Sequence, residues 1–207
     1  MEPSHFAANA RQRRHAVFLR LLDDLPHPIS VLDVGGTVDY WRTVGFHPDV
    51  DVLLLNIFPQ NNLPAGFKAI VGDARDLSSF PDKHFDVVFS NSVIGHVGGF
   101  AEQQRMAREI GRVGRRYFVQ TPNHGFPLDW RTLIPGFHWL PASAQAWCFR
   151  SMSVGTYPRA PDAVTAKEWA TRVRNLRRRE LPVCFPGATV QNERVAGLTK
   201  SFIVIGR

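Results

Sequence analysis

Residues 31–37 read VLDVGGT: Val31-Leu32-Asp33-Val34-Gly35-Gly36-Thr37. An apolar strand runs into an acid and then into two residues with no side chain. In an open parallel sheet, ligands sit beyond the carboxyl ends of the strands, at the first strand–turn–helix. A bare turn lets such a ligand approach the main chain, and the amides of the turn and of the following helix can donate hydrogen bonds to it. The pattern before and after this turn therefore decides the fold.

Upstream, Phe18, Leu21, Leu22 and Leu25 fall at helical spacing, so the segment before Pro26 is expected to be an amphipathic helix. The turn's own strand spans 29–34, and a short helix is expected over 38–44. Further strands are read at 51–57, 67–71, 86–90 and 116–120, with a helix over 100–111. These strands are continuous apolar runs, which favours a parallel sheet covered on both faces. Residues 123–161 are irregular and rich in aromatics and prolines. Thr165 to Glu168 resembles a capping box that opens a helix with Trp169, Val173 and Leu176 inward. Arg174 and Arg178 would then lie on a solvated face. Two extended segments, 189–195 and 201–205, close the chain.

The expected organisation is a single domain of 207 residues. It divides into an N-terminal helix (1–28), a core (30–122), a lid or substrate insertion (123–164) and a C-terminal helix with a strand pair (165–207). Cys148 and Cys184 have no histidine at ligand spacing, so no metal is expected, and a reducing, cytoplasmic setting is. Glu2 at the front and the lack of an apolar signal core argue against a targeting peptide. The net charge of +7 attracts anionic partners. The arginines at 172–179 fit a solvated helix face, so nucleic acid is not expected. The oligomeric state is not legible.

Chemistry is expected at the strand ends. Asn56 ends the second strand, where a nucleoside would present its ribose hydroxyls. An acid is the usual occupant there, so Asn56→Asp is expected to tighten binding. Asp73 follows Gly72 and suits an exocyclic amine, while Asp76 suits a local turn. Asn91 and His96 follow the fourth strand, and His96 is placed to act as a general base.

VLDVGGT, VGDARDLSSFPDKHFDVVFSNSVIGHV (71–97) and YFVQTPN (117–123), in this order, resemble the class I S-adenosylmethionine-dependent methyltransferases, nearest to the type 11 branch. The resemblance runs from about Ser30 to Asn123, with an echo in 185–205. It implies an α/β fold: a Rossmann-like doubly wound sheet of seven strands, mostly parallel with an antiparallel last strand and helices on both faces. It implies S-adenosylmethionine as cofactor, with Asp33, Gly35 and Gly36 cradling its methionine end. Asn56 falls at the ribose, Asp73 and Ala74 at the adenine, and Asn91 on the wall after the fourth strand. Methyl transfer to a small-molecule or lipid-like acceptor is then expected, on oxygen, nitrogen or carbon. Asn123, His124, Phe126 and Trp130 are the candidate acceptor contacts, and the aromatics here also suit peripheral contact with a membrane. The chain departs from the family's pattern in having two glycines at the turn, Asn56 for the acid, and Gly95 for the Glu before the histidine. Those departures suit a catalytically silent scaffold. An RNA methyltransferase would draw on the basic charge, and a nicotinamide-dependent oxidoreductase would share the turn but wants a fuller G-x-G-x-x-G fingerprint.

Overall fold

The computed structural model describes residues 5–45, 47 and 49–207, so residues 1–4 of the N-terminal segment lie outside the described residues. A seven-stranded sheet carries the domain, in the order β3-β2-β1-β4-β5-β7-β6. Its strands are β1 (Ile29–Val34), β2 (Val50–Asn56), β3 (Phe67–Val71), β4 (Phe85–Asn91), β5 (Gly114–Pro122), β6 (Thr189–Val195) and β7 (Leu198–Gly206). The first five are parallel, and β7 runs antiparallel to both β5 and β6. The β6–β7 hairpin turns through Ala196 and Gly197, both with positive φ (49° and 79°), as a two-residue loop matching strand twist requires.

Alternation along β1 divides the core between the two faces. Leu32 and Val34 pack with Met106, Ala107, Ile110 and Val113 of helix α3 (Phe100–Val113). Ile29 and Val31 pack on the opposite face with Phe18, Leu21 and Leu22, and with Val38 and Trp41 of helix α2 (Val38–Val44). Asp33 thus points toward the α2 face, among apolar side chains.

Several segments differ from the sequence expectation. The first helix, α1, covers His5–Leu19, and Leu21 and Leu22 reach the same core from the turns that follow it. Within 123–161, a short 3-10 helix (Phe137–Trp139) and helix α4 (Ala142–Ser151) are ordered; α4 was invisible because Ala, Ser and Cys give it no apolar stripe. Helix α5 spans Ala163–Thr171 and is capped by Asp162, whose carboxylate accepts the Thr165 amide at 2.7 Å; the capping box expected at Thr165 does not form. The helix also ends before the arginines.

Residues 173–176 cross the ends of β4 and β5 outside any helix. The Arg174 amide donates to the Gly95 carbonyl (2.9 Å), and the His124 amide donates to Leu176 (3.1 Å). Leu176 enters the core, so neither it nor Val173 lines a helix. Arg174 is not on a solvated face. It donates to the buried Gln103 (2.6 Å), pairs with Glu180 (2.5 Å) and lies over the Phe100 ring (4.9 Å). Tertiary partners outweigh helix propensity here. A short helix, α6 (Leu181–Cys184), then leads into the hairpin.

Removing the Arg174 guanidinium strands Glu180 and the Gln103 carbonyl, although part of the pair remains solvent-screened. Arg174→Met is expected to cost about 2 kcal/mol, read as a lowered urea midpoint, whereas exposed Arg179→Met leaves the midpoint in place.

Candidate functional site

At the carboxyl end of β1, Asp33 is 1% exposed. One carboxylate oxygen, Oδ2, accepts the Trp41 indole N–H at 2.8 Å; the other, Oδ1, has no partner among the described residues. Burial pushes the carboxyl up to about 7, and the Trp41 bond offsets only part of that. The glycines follow from this packing. A side chain at Gly36 would overlap the Asp33 carboxylate, and one at Gly35 would collide with Val93. Gly35 also has φ +76°, which only glycine adopts freely.

Asn56 holds the turn in place from β2. Its Nδ2 donates to the carbonyls of Gly36 (2.9 Å) and Gly35 (3.2 Å), and its Oδ1 accepts the Ile57 amide (2.8 Å). The side chain is therefore committed to the backbone. A carboxylate at this position would have no proton for those two carbonyls, so the tightening expected of Asn56→Asp does not follow from this geometry.

A cavity of about 410 Å³ opens beside the turn, lined by Asp33, Gly35, Gly36, Tyr40, Asn91 and Arg11, among others. The Tyr40 hydroxyl is also buried without a partner among the described residues, and burial together with the Asp33 charge raises its pKa. Asn91 accepts from Arg14 (3.3 Å), which pairs with Glu193 of β6 (2.8 Å) and so ties α1 to the rim. A second cavity, of about 360 Å³, is lined by Arg75, Arg105, Arg108 and Arg112 with acids between them; none of the unpartnered buried atoms found among the described residues lines it.

The remaining candidates occupy the same rim or the loops beside it. Asp73 is half-exposed and gripped by Arg75 (2.6 Å), which holds its carboxyl below the usual range; Ala74 beside it is buried. His96 ends a 3-10 turn (Ile94–His96) and reaches solvent. Partial burial, with Arg131 and Arg172 nearby, holds its imidazole below the ordinary 6.5. Gly95 has a packing reason, since a side chain there would press on Asn175 and the Arg174 carbonyl of the crossing segment.

Asn123 spends its amide on the Thr199 carbonyl (2.8 Å) and the Gly125 amide (2.9 Å). The His124 carbonyl accepts from Trp139 (2.8 Å), its ring meets Arg177 (3.2 Å), and Phe126 is half-buried. Trp130 projects into solvent. Arg11, Tyr40 and exposed Ile57, which follows β2, were not anticipated. Tyr40 was foreseeable as the neighbour of Trp41 on the first turn of α2; the other two gave no signal.

The family model described as a methyltransferase domain matches residues 40–117. This is the fold of the class I methyltransferases. The PH0226 protein from Pyrococcus horikoshii shares it at 19% identity and a TM-score of 0.52, over 95% of this chain and 89% of that one. The N-terminal domain of EvdMO1, solved in the presence of SAH and D-fucose, is similar at 15% identity and a TM-score of 0.53, over 95% and 82%. A putative methyltransferase from Haloferax volcanii, solved in complex with the Trm112 activator, is similar at 13% and 0.52, over 96% and 91%. No curated protein matches the chain.

Two outcomes test the turn of this methyltransferase fold. Asn56→Asp loses two donated hydrogen bonds and sets a carboxylate against carbonyls, and is expected to cost about 2 kcal/mol in chemical unfolding. For Asp33, the folded pKa of about 7 stands above the ordinary 3.8. The folded chain therefore keeps a proton that the unfolded chain has lost, and stability falls as pH rises from 3.8 toward 7. Asp33→Asn removes that slope and is expected to unfold at higher urea than the parent at pH 8, by about 2 kcal/mol.

Proposed function

We propose that the chain transfers a methyl group from S-adenosylmethionine to a small-molecule or lipid-like acceptor, with the cofactor's methionine end in the cavity beside the glycine turn. The observation that carries this reading is that two residues lining the cavity, Asp33 and Tyr40, each hold a buried atom, Oδ1 and Oη, with no hydrogen-bond partner among the described residues. One is an acceptor and the other a donor, with the Arg11 guanidinium on the same wall. An α-amino acid zwitterion needs that set: an acceptor for its ammonium and donors for its carboxylate. When bound, the cofactor supplies a methyl group on a sulfonium, a leaving group that needs no protonation.

The chain's own residues bind and orient. Asp33 accepts from the ammonium; Arg11 and Tyr40 donate to the carboxylate. Asn56 keeps the turn in register and leaves the ribose to backbone groups. Exposed Ile57 and buried Ala74 provide an apolar wall for the adenine, and Asp73 reaches its amine by loosening its hold on Arg75. Asn91 fixes the wall toward β4. Holding donor and acceptor in line supplies much of the rate, with effective molarities of ~10⁵ M or more. His96 takes the proton when the acceptor is a hydroxyl, since its lowered pKa leaves a neutral imidazole at pH 7. His124, Phe126 and Trp130 flank the acceptor, with Asn123 shaping the loop that carries them.

Calorimetry decides the binding step. S-adenosylmethionine and S-adenosylhomocysteine are expected to bind at one site per chain and NADH not at all; heat with NADH alone would contradict the reading. Gly35→Val, which cannot seat beside Val93 at positive φ, is expected to abolish that binding. With a hydroxyl acceptor found by methyl gain in mass spectrometry, His96→Ala is expected to lower kcat by about 10²-fold with cofactor affinity intact. Because the imidazole's pKa is lowered, the acid limb of kcat/KM should lie below pH 6.5.

A further inference from the structure

The insertion has a core of its own. Phe137, Phe149, Val154, Ala160 and Ala166 are buried together, with Tyr157 and Trp169 packed against them. The large apolar residues left outside this cluster are therefore a surplus beyond what its folding needs. Four of them, Leu128, Trp130, Leu133 and Ile134, lie in one closed loop, and Trp139 and Leu140 follow it. The Gly136 amide donates to the Pro127 carbonyl at 2.7 Å, joining the loop's ends, and the Leu133 amide donates to Asp129 at 2.8 Å within it. An ion pair between Arg131 and Asp129 fixes its base. Around this frame Leu128, Trp130, Leu133 and Ile134 are 45%, 73%, 57% and 42% exposed, and Trp139 and Leu140 follow at 52% and 42%. Compact loops that hold their apolar side chains outward are interaction surfaces.

Charge identifies the occupant. Residues 123–180 contain nine Lys and Arg against four Asp and Glu. Exposed Arg177 meets the His124 ring at 3.2 Å, and the His124 carbonyl holds the Trp139 indole at 2.8 Å, so cation and apolar rim are neighbours. A second copy of this chain, itself at +7, would bring like charge to the contact. Exposed tryptophan and aliphatic side chains with an arginine beside them match the acyl–headgroup boundary of an anionic bilayer. We propose that the 127–140 loop docks the protein on an anionic lipid surface, with Trp130, Leu133 and Ile134 entering the boundary and exposed Arg172, Arg177 and Arg179 meeting lipid phosphates. No helix among the described residues is long and apolar enough to cross a membrane, and the docking described is peripheral. It needs no cofactor, and its outcome is separable from methyl transfer.

Cosedimentation of the full chain with phosphatidylcholine vesicles, with and without equimolar phosphatidylglycerol, tests this. Binding is expected on the anionic vesicles, weaker by about tenfold or more at high salt or on phosphatidylcholine alone. Trp130→Ser/Leu133→Ser/Ile134→Ser is expected to lower anionic-vesicle binding by about tenfold or more with its urea midpoint unchanged. Should that variant fail to fold, Trp130→Phe replaces it: the parent's fluorescence is quenched by brominated lipid, and most of that quenching should vanish in Trp130→Phe. Equal binding of the parent and triple variant, equal binding to both vesicle types, or no binding to either would overturn the proposal. So would a lipid-free oligomer that the triple variant dissociates, which would give the surface to a second copy.

Discussion

A buried carboxyl group fixes the geometry at the end of β1. Asp33 is set among the apolar residues of the α2 face by the alternation of its strand, and only the Trp41 indole meets one of its oxygens. The other oxygen stays unsatisfied, at a cost of a few kcal/mol for a buried polar group. The surrounding structure accommodates that cost. Gly36 leaves room for the carboxylate, Gly35 turns the chain away at positive φ, and Asn56 ties both carbonyls back to β2.

Where strands are apolar runs bounded by Gly, Pro and Asp, the sequence was enough to read them, and β1 and β3 have the expected bounds. The glycine turn was legible as a site, but its cause was not. Spacing cannot reveal that Gly36 answers to Asp33 and Gly35 to Val93, because Val93 comes from another strand end. Asn56 misled for a similar reason: its partners are the turn's own carbonyls. The helix expected through 172–179 failed because Gly95, Gln103 and Glu180 draw that segment into a crossing, and the first two lie far away in sequence. Amphipathic spacing of arginines on paper was outweighed by three sets of tertiary bonds.

The departures from the family's pattern acquire physical reasons in this chain. Gly95 admits the crossing segment where a larger residue would press on it, and Asn56 serves as a brace. Both residues are therefore accounted for by packing and hydrogen bonding within this chain. The crossing segment also joins the two halves of the molecule. It runs from α5 past Gly95 to Leu176, placing the insertion's loop and its arginines beside the rim that carries His96.

The central claim is that Asp33 Oδ1 is kept without a partner until an ammonium arrives. Carbon-13 NMR of the side-chain carboxyls, titrated with and without S-adenosylhomocysteine, tests it at the atom concerned. The account predicts that Asp33 titrates near 7 in the free chain and well below that when the ligand's ammonium pairs with it. An Asp33 midpoint that stays the same in a saturated complex would contradict the account.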